Sequence, residues 1–298
     1  GYECPVAHVS LFYLLSGLSL GVYDFSKKHA VNSNRVMPVL FMATLCGTLF
    51  LMVTHLASGD FLASARCTPA EWGLVMVKSL IVAASWIAGY YALHDLPISL
   101  AAPIRASAPM WATLGGFLLL GECPNLHQLA GIIVVFAGLF PFNVSGRHEG
   151  FSFKSRGVRM IIAATLIGAS SAIYDRYILH NLHLDANMVQ FHFSIDLVLL
   201  LGAAWILQKH IPFMKEDKPF QWRWSIPLIG ILLIAADYFF FHALAAPNTQ
   251  IGVLSVLRRT SVVVSFLCGA IYFREKGLRV KTAALALVLA GIVILAFS

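Results

Sequence analysis

The sequence predicts an all-α integral membrane protein whose ten transmembrane helices form an inverted repeat of five plus five. Three observations lead to this fold class. Of the 298 residues, 59% are hydrophobic and only 12% are charged, about half the charged fraction of a soluble domain. The apolar residues are gathered into ten runs of membrane-spanning length, and residues of the first five runs recur in the same order in the last five.

The ten apolar runs follow one another with mostly short connections. A helix needs ~20 mostly apolar residues to cross the hydrocarbon core, whereas the strands of a membrane barrel alternate apolar and polar residues. Prolines such as Pro38, Pro97 and Pro212 mark several boundaries. The two longest connections, 143–157 and 208–224, are polar and basic. The predicted spans are 8–30, 36–57, 71–93, 98–120, 126–142, 158–179, 187–207, 225–245, 251–273 and 280–297.

Short sequence motifs recur between the two halves of the chain. Each match is weak alone, but all of them occur in the same order in both halves. The last three matches align at one constant spacing, without a gap. The matches pair 21–24 with 172–175, 91–93 with 242–244, Arg105 with Arg258, 121–122 with 274–275, and 129–139 with 282–292.

The repeat unit holds five spans, which is an odd number. Two tandem copies must therefore cross the membrane in opposite directions, related by a pseudo-two-fold axis in the membrane plane. This architecture recurs in secondary transporters, where the substrate site lies near the midplane between the repeats. We place the first repeat at 1–145 and the second at 146–298, within one integrated bundle.

The helix-end motifs also carry a family resemblance. Residues 109–122 hold a proline inside the helix and Gly121-Glu122 at its end, and the second copy ends at residues 273–275, Phe-Arg-Glu. Over nearly its whole length the chain resembles the EamA-type members of the drug/metabolite transporter superfamily. The resemblance implies a secondary carrier of small metabolites that works without ATP, and it names no substrate. Residues 23–28 depart from the commoner family pattern, which has aromatic and small residues and a single lysine.

Basic residues are distributed unequally between the two sides of the predicted membrane. The side that holds the termini has only Arg66 near its boundary, so the positive-inside rule places both termini outside the cell, in the inner or plasma membrane. The family resemblance implies the reverse orientation, and we follow the charges of this chain. The opposite side holds Lys27, Lys28, Arg35, Arg147, Lys154, Arg156, Arg159, Lys209, Lys215, Lys218, Arg223, Arg274, Lys276, Arg279 and Lys281.

Ionisable residues inside membrane spans are functional candidates because their burial is costly. Asp24 and Arg105 both lie ~10 Å below the same membrane face, at ~1.5 Å per helical residue, so we expect them to pair. The repeat predicts a second pair, Asp175 with Arg258, entered from the other face. The pairs are interpreted as gates or substrate anchors, and the alternative is that they are salt bridges that hold helices together.

Two arginines have no equivalent in the other half. Arg259 aligns with Ala106, and Arg176 aligns with Phe25. A guanidinium fork suits a carboxylate or a phosphate. We therefore expect Arg259 to contact the substrate, whereas Arg176 is expected to reach the interface with its long side chain.

Two carboxylates are candidates for proton coupling. Asp196 follows His192 by four residues and shares its helix face, and Asp237 precedes His242 by about a turn. A desolvated carboxylate and a histidine are both able to exchange protons near neutral pH. The alternative is a structural hydrogen bond between helices. Lys78 is expected to pair with Asp237 or Asp196, or to meet an anionic substrate.

Aromatic residues at mid-span are candidates for the wall of a cavity, although core or lipid packing is the usual role of such residues. Trp72, Trp222 and Trp224 lie near membrane boundaries and are interpreted as interfacial anchors. The candidate cavity residues are Tyr23, Trp86, Tyr90, Tyr174 and Tyr238.

Several functional classes are not supported by the sequence. There is no nucleotide-binding loop, nucleophile triad or redox motif, so we expect neither an enzyme nor a cofactor. The 5 cysteines are scattered without metal-ligand spacing. The net charge is +7, but no basic tract is interleaved with aromatics, so no nucleic-acid partner is expected.

These features together predict a secondary-active transporter that moves a small polar metabolite by alternating access, with an amino acid or organic anion favoured. Proton coupling through Asp237 or Asp196 is one hypothesis, and facilitative exchange or export is another. A membrane scaffold or receptor with the same fold is the alternative from a different class. The expected partners are the small-molecule substrate, protons and the lipid bilayer, with the protein as a monomer or homodimer.

Overall fold

The computed structural model describes residues 5–120, 125–148, 154–214, 216, 219–244, 260–275 and 277–297. Side chains are described for these residues except 5–14, 116, 117, 119, 120, 140–148, 176, 180, 213 and 237–244. Within the described ranges the chain is helical and contains no strand, so the all-α prediction is confirmed. The helices are α1 Pro5–Val31, α2 Val36–Ser58, α3 Phe61–Ala65, α4 Pro69–Asp95, α5 Ile98–Ala106, α6 Ala108–Leu120, α7 Leu126–His148, α8 Arg156–Arg176, α9 Ala186–Leu207, α10 Ser225–Leu244, α11 Thr260–Tyr272 and α12 Leu278–Ala296.

Five helical segments are long and apolar enough to cross a membrane, counted over the described residues. Three further helices have shorter apolar parts: Leu126–Leu139, Ser225–Ala236 and Thr260–Tyr272. These findings support a multi-pass membrane protein, and ten crossings stay a prediction. The five segments are Val36–Ser58, Pro69–Asp95, Arg156–Leu179, Ala186–His210 and Leu278–Ala296.

The fourth predicted span is not one helix. Residues 98–120 form α5 and α6, which are separated at Ser107, so the prediction of a continuous helix was wrong. Pro103 and Pro109 flank the break, and a proline removes a helical hydrogen bond and collides with the carbonyl four residues before it. The Ser107 hydroxyl donates to the Ile104 carbonyl oxygen at 2.6 Å, which satisfies one acceptor freed by the break.

Two smaller elements also depart from the prediction. The sixth span leaves the α-helical path after Arg176 and continues as a π-helical turn, Tyr177–Asn181. Wider turns of this kind occur often at functional sites. The short helix α3, whose five residues follow Gly59 in a left-handed conformation, was not predicted because it is shorter than a span.

The helix packing repeats itself when the two halves are exchanged. Under the sequence repeat, α1 corresponds to α8, α4 to α10, and α11 to the α5–α6 pair. The helix α1 packs on α10 as α4 packs on α8, and α1 packs on α11 as α8 packs on α5 and α6. The helix α2 packs on α10 as its equivalent α9 packs on α4, and the contacts of α7 with α12, of α2 with α9 and of α5 with α11 join equivalent helices to each other. This is the contact pattern that a two-fold relation between the halves produces.

Glycines permit the closest of these helix contacts. A Cβ placed on Gly230 of α10 would lie 2.4 Å from the backbone nitrogen of Gly47 in α2. A Cβ on Gly291 of α12 would lie 2.8 Å from the carbonyl oxygen of Gly131 in α7. Small residues are typical of membrane helices whose backbones approach closely.

Candidate functional site

A cavity of about 330 Å³ lies between α1, α4, α5, α6, α8 and α11. Its wall includes Asp24 and Arg105, together with hydroxyl side chains such as Thr165 and Ser171. Ala106 and Ala108, on either side of the break between α5 and α6, also line it. The interruption of the fourth span is therefore part of the cavity wall.

The structure places Asp24 and Arg105 in contact. Arg105 Nη1 donates to Asp24 Oδ1 at 3.2 Å, and Lys27 Nζ lies 2.6 Å from the same oxygen. The side chain of Arg105 is 39% exposed and that of Asp24 22%, whereas that of Lys27 is 3% exposed. One carboxylate at the cavity wall thus meets two cations, and the local charge balance is positive.

Lys27 and Lys28 were counted with the basic residues on the side opposite the termini, at the end of the first predicted span. Both lie near the end of α1, as that span predicts, but both are buried inside the protein. Lys28 Nζ donates to the carbonyl oxygens of Leu93 and Leu96, at 2.6 Å each. A cation at carbonyls that the helical ladder leaves open is stabilising, so Lys28 holds α1 against the end of α4.

Glu275 positions the helix that carries Arg105. Its two carboxylate oxygens accept hydrogen bonds from the backbone N–H groups of Ile98, at 2.8 Å, and Ser99, at 2.9 Å. These are the first residues of α5, whose unpaired N–H groups favour an anion. Glu275 was predicted only as part of a repeat motif. Its place directly after an apolar span, matched by Glu122 in the other half, was the available signal.

A second ion pair lies on α4 and α8. Lys78 donates to Asp175 Oδ1, and Lys78 Nζ lies 4.8 Å from the centre of the Phe193 ring. The prediction that Lys78 pairs with Asp196 was therefore wrong. Asp175 was assigned to Arg258 by symmetry, but its partner among the described residues is Lys78. This pair does not follow from the repeat, because Lys78 on the neighbouring helix has no counterpart in the other half.

Asp196 is held by neutral donors. Trp72 Nε1 donates to its Oδ1 at 3.2 Å, and the Ser79 hydroxyl donates to its Oδ2 at 3.3 Å. Trp72 is half-exposed, so one side chain combines the predicted boundary position with a hydrogen bond into the bundle. His192 Nε2 is buried without a hydrogen-bond partner among the described residues.

The predicted aromatic residues separate into two groups. Tyr23 and Trp86 lie between the main cavity and a second one of about 80 Å³, whose wall also includes Tyr90. Lys27 Nζ lies 4.0 Å from the centre of the Tyr23 ring and 5.9 Å from that of Tyr90. Tyr174 lies apart from both cavities, and its hydroxyl donates to the Leu74 carbonyl at 3.0 Å.

Some predicted site residues lie outside the described part of the chain. Arg258 and Arg259 belong to this group entirely. The side chains of Asp237, Tyr238 and His242 do so as well, although their backbone forms part of α10. The roles predicted for these five residues stay predictions.

The comparisons with known proteins agree with this architecture. The family model of the EamA-like transporter family matches the chain twice, over residues 9–144 and 155–297. A solved crystal structure with 17% sequence identity has a TM-score of 0.64 to this chain and covers 97% of it, with 96% of that protein's chain aligned. At this sequence identity, the likeness to the solved structure shows the fold alone. The family match shows the family to which the chain belongs. Because the matched segments span nearly the whole sequence, this chain belongs to the EamA-like transporter family.

Proposed function

We propose that this protein is a secondary-active transporter of a small polar metabolite with an anionic group, such as an amino acid or an organic acid. The observation that carries the proposal is the cavity wall where Asp24 faces both Arg105 and Lys27. A guanidinium there suits a carboxylate or phosphate. The cavity volume of about 330 Å³ lies within the range of small-molecule sites.

Alternating access is supported by the repeat and by the broken fourth span. The cavity lies between helices of both halves, and the break at Ser107 faces it. Interrupted helices at a central cavity are typical of transporters built from inverted repeats. We propose that the two halves rock about the cavity and expose it to each side in turn, and that the chain performs no chemistry on its cargo.

Proton coupling through Asp196 is the proposed energy source. Its carboxylate is buried and its described hydrogen bonds come from Trp72 and Ser79, both neutral. A carboxylate without a directly bonded cation gains or loses its proton more readily than one locked in an ion pair. Asp237 is the second candidate. Flux in proteoliposomes that is unchanged by a pH gradient would contradict coupling and favour facilitative exchange.

The proposed site is tested by substrate binding and flux. Purified protein is screened with amino acids and organic acids for thermal stabilisation, since a ligand that binds the folded state raises its stability. Ligands found in this way are then used for proteoliposome flux. The variant Arg105→Leu, alone and with Asp24→Asn, should lose both stabilisation and flux. Arg279→Leu on an exposed position of α12 is the matched control. Normal transport by the double variant would refute the site.

We also propose a location in the inner or plasma membrane with both termini outside. Three of the basic residues counted on the side opposite the termini, Lys27, Lys28 and Lys281, are buried in helices and are left out of the count. The other basic residues on that side still outnumber Arg66 on the side of the termini. The asymmetry that supports this orientation therefore remains.

A further inference from the structure

Two cations share one oxygen of Asp24, but they differ in their relation to the cavity. Arg105 lines the cavity and its side chain is 39% exposed. Lys27 lies behind the wall, with its side chain 3% exposed, and is not among the residues that line either described cavity. An incoming anion therefore reaches Arg105 and does not reach Lys27.

The two ion pairs of Asp24 also differ in the helices that they join. Lys27 lies three residues after Asp24 on α1, so their contact lies within one helix. The ring of Tyr23 faces its ammonium group at 4.0 Å, which adds a cation–π attraction. Arg105 belongs to α5, a separate short helix that ends one residue later. A movement of α5 separates Arg105 from Asp24 without disturbing the pair with Lys27.

An anionic substrate must compete with Asp24 for Arg105. If Arg105 were the only partner of Asp24, the competition would leave an unpaired carboxylate inside the bundle, which is strongly unfavourable. Lys27 removes this obstacle because it remains bonded to Asp24 at 2.6 Å.

From this geometry, we infer that Lys27 is a positioning residue for substrate binding: it retains Asp24 while a substrate carboxylate takes the place of Asp24 on Arg105. The inference rests on the proposed function and specifies its site. The ligand class is a small carboxylate, bound by the guanidinium of Arg105. Asp24 then acts as an internal anion that occupies Arg105 when the cavity is empty and shifts entirely to Lys27 when it is filled.

Another role of Lys27 would give a different pattern of variants. If Lys27 only adds positive charge near the cavity, Lys27→Met weakens anion binding whether or not Asp24 is charged. If Lys27 retains Asp24, replacement of Lys27 affects anion binding only when residue 24 has a carboxylate. The effect of Lys27→Met must therefore disappear in an Asp24→Asn background, as a double-mutant cycle detects.

The test uses the reactivity of Arg105 and needs no known substrate. The full-length protein in detergent is treated with methylglyoxal, and modification of Arg105 is followed by peptide mass spectrometry, with and without sodium acetate. Lys27→Met should slow the modification by about three- to fivefold, because Asp24 then pairs with Arg105 alone, and should reduce protection by acetate by a similar factor. Asp24→Asn should accelerate the modification of Arg105. The double variant, Asp24→Asn with Lys27→Met, should react at the same rate as Asp24→Asn.

The controls separate retention of Asp24 from simple loss of a lysine or of the fold. Lys27→Arg should restore the wild-type rate, and Lys209→Met, at an exposed position, should not change it. Lys27→Gln replaces Lys27→Met if the latter fails to fold. An unchanged rate in Lys27→Met, or an equal decrease in the Asp24→Asn background, would overturn the inference. Absence of flux for every organic anion would overturn the proposed function while these modification rates stand.

Discussion

At the residue scale, the turn between α4 and α5 is held from two sides by opposite charges. Lys28 binds the carbonyl groups at the end of α4, and Glu275 binds the N–H groups at the start of α5. Each ion meets the end of a helix whose partial charge is opposite to its own. The turn that leads to Arg105 is therefore fixed by groups from both halves of the chain.

Removal of the Glu275 charge should loosen the start of α5. Glutamine has a single acceptor oxygen for two N–H groups, so Glu275→Gln should lower the free energy of unfolding by about 1–2 kcal/mol. Thermal unfolding in detergent measures the difference. Asp60→Asn, at an exposed position without a described side-chain cap bond, is the control and should leave the midpoint unchanged. Equal midpoints for Glu275→Gln and the control would contradict the role of Glu275.

A second carboxylate, that of Glu216, predicts that the stability of the folded protein depends on pH. Burial raises the pKa of Glu216, which lies between α9 and α10, although the Val36 N–H donates to it at 2.9 Å. With the folded pKa above the unfolded one, the stability that this group contributes is present at low pH and is lost as the pH rises through the folded pKa.

Glu216→Gln should therefore be more stable than the wild type near neutral pH. The expected gain is about 0.5 kcal/mol, because water screens a half-buried group, and the gain should vanish below the ordinary glutamate pKa of about 4.3. Unfolding midpoints of both proteins at about pH 4 and about pH 7.5 provide the measurement. A difference that is the same at both pH values would show that Glu216 does not titrate in this way.

The site was partly predictable at this scale. Asp24 and Arg105 could be matched because both depths follow from helix geometry. Lys27 follows Asp24 by three residues in the predicted span, but its role was not assigned, because its burial depends on which helices pack against α1. The pair of Lys78 with Asp175 depends on which faces of α4 and α8 meet, and no local pattern specifies that.

At the scale of the elements, glycine contacts determine how closely α2 and α10 approach. A methyl group on Gly230 would lie 2.4 Å from backbone nitrogen of Gly47, and backbone cannot move aside as a flexible side chain does. Gly230→Ala should therefore lower the free energy of unfolding by about 2–3 kcal/mol through overpacking.

Gly73→Ala is the matched control for this substitution. Gly73 lies in α4, and a Cβ there meets no atom within 4 Å. Its substitution should be neutral or raise the stability by up to ~1 kcal/mol, since alanine favours a helix. Comparable losses in both variants would show that the close α2–α10 contact does not limit the packing. Urea or thermal unfolding in detergent distinguishes the two outcomes.

The elements themselves were largely predictable, with one instructive exception. Long apolar runs give helices almost wherever the structure describes them, because backbone groups in lipid must bond within the helix. The break at Ser107 was missed although Pro103 and Pro109 were visible. Prolines are tolerated within membrane helices, so their presence alone does not decide whether a helix bends or stops.

At the scale of the whole molecule, the orientation in the membrane can be measured with Cys67. It lies before α4, on the side where the ten-span prediction places the termini, and burial, with the nearby charges of Glu71 and Asp196, raises the pKa of its thiol. Labelling with a membrane-impermeant maleimide is therefore done at about pH 8.5, where more thiolate forms. In intact cells, Cys67 should react when the other cysteines are replaced.

The control places a thiol on the opposite side. Phe220→Cys lies at an exposed position between α9 and α10 and should react only after the cells are opened. Labelling of this position from outside, with Cys67 protected, would reverse the orientation proposed from the basic residues. Because cytoplasmic connections are enriched in lysine and arginine, the charge distribution predicts that Cys67 reacts in intact cells.

The repeat made the overall architecture predictable, since it implies a two-fold arrangement before any contact is known. What it could not predict is where the halves differ. Asp24 and Asp175 are equivalent in sequence, yet one pairs with Lys27 within α1 and the other with Lys78 on a different helix. The same repeat spacing aligns Lys78 with Ile229 of α10, so the equivalent position in the other half has an apolar side chain.

In the alternating-access mechanism proposed above, this difference makes the two access states unequal in energy. Separating α4 from α8 breaks the bond between Lys78 and Asp175, whereas separating α1 from α10 breaks no ion pair among the residues described. Under that proposal, the empty carrier rests with α4 and α8 together. We therefore expect the empty return step to be slower in the direction that separates these helices, and the cargo flux to differ between equal gradients of opposite direction.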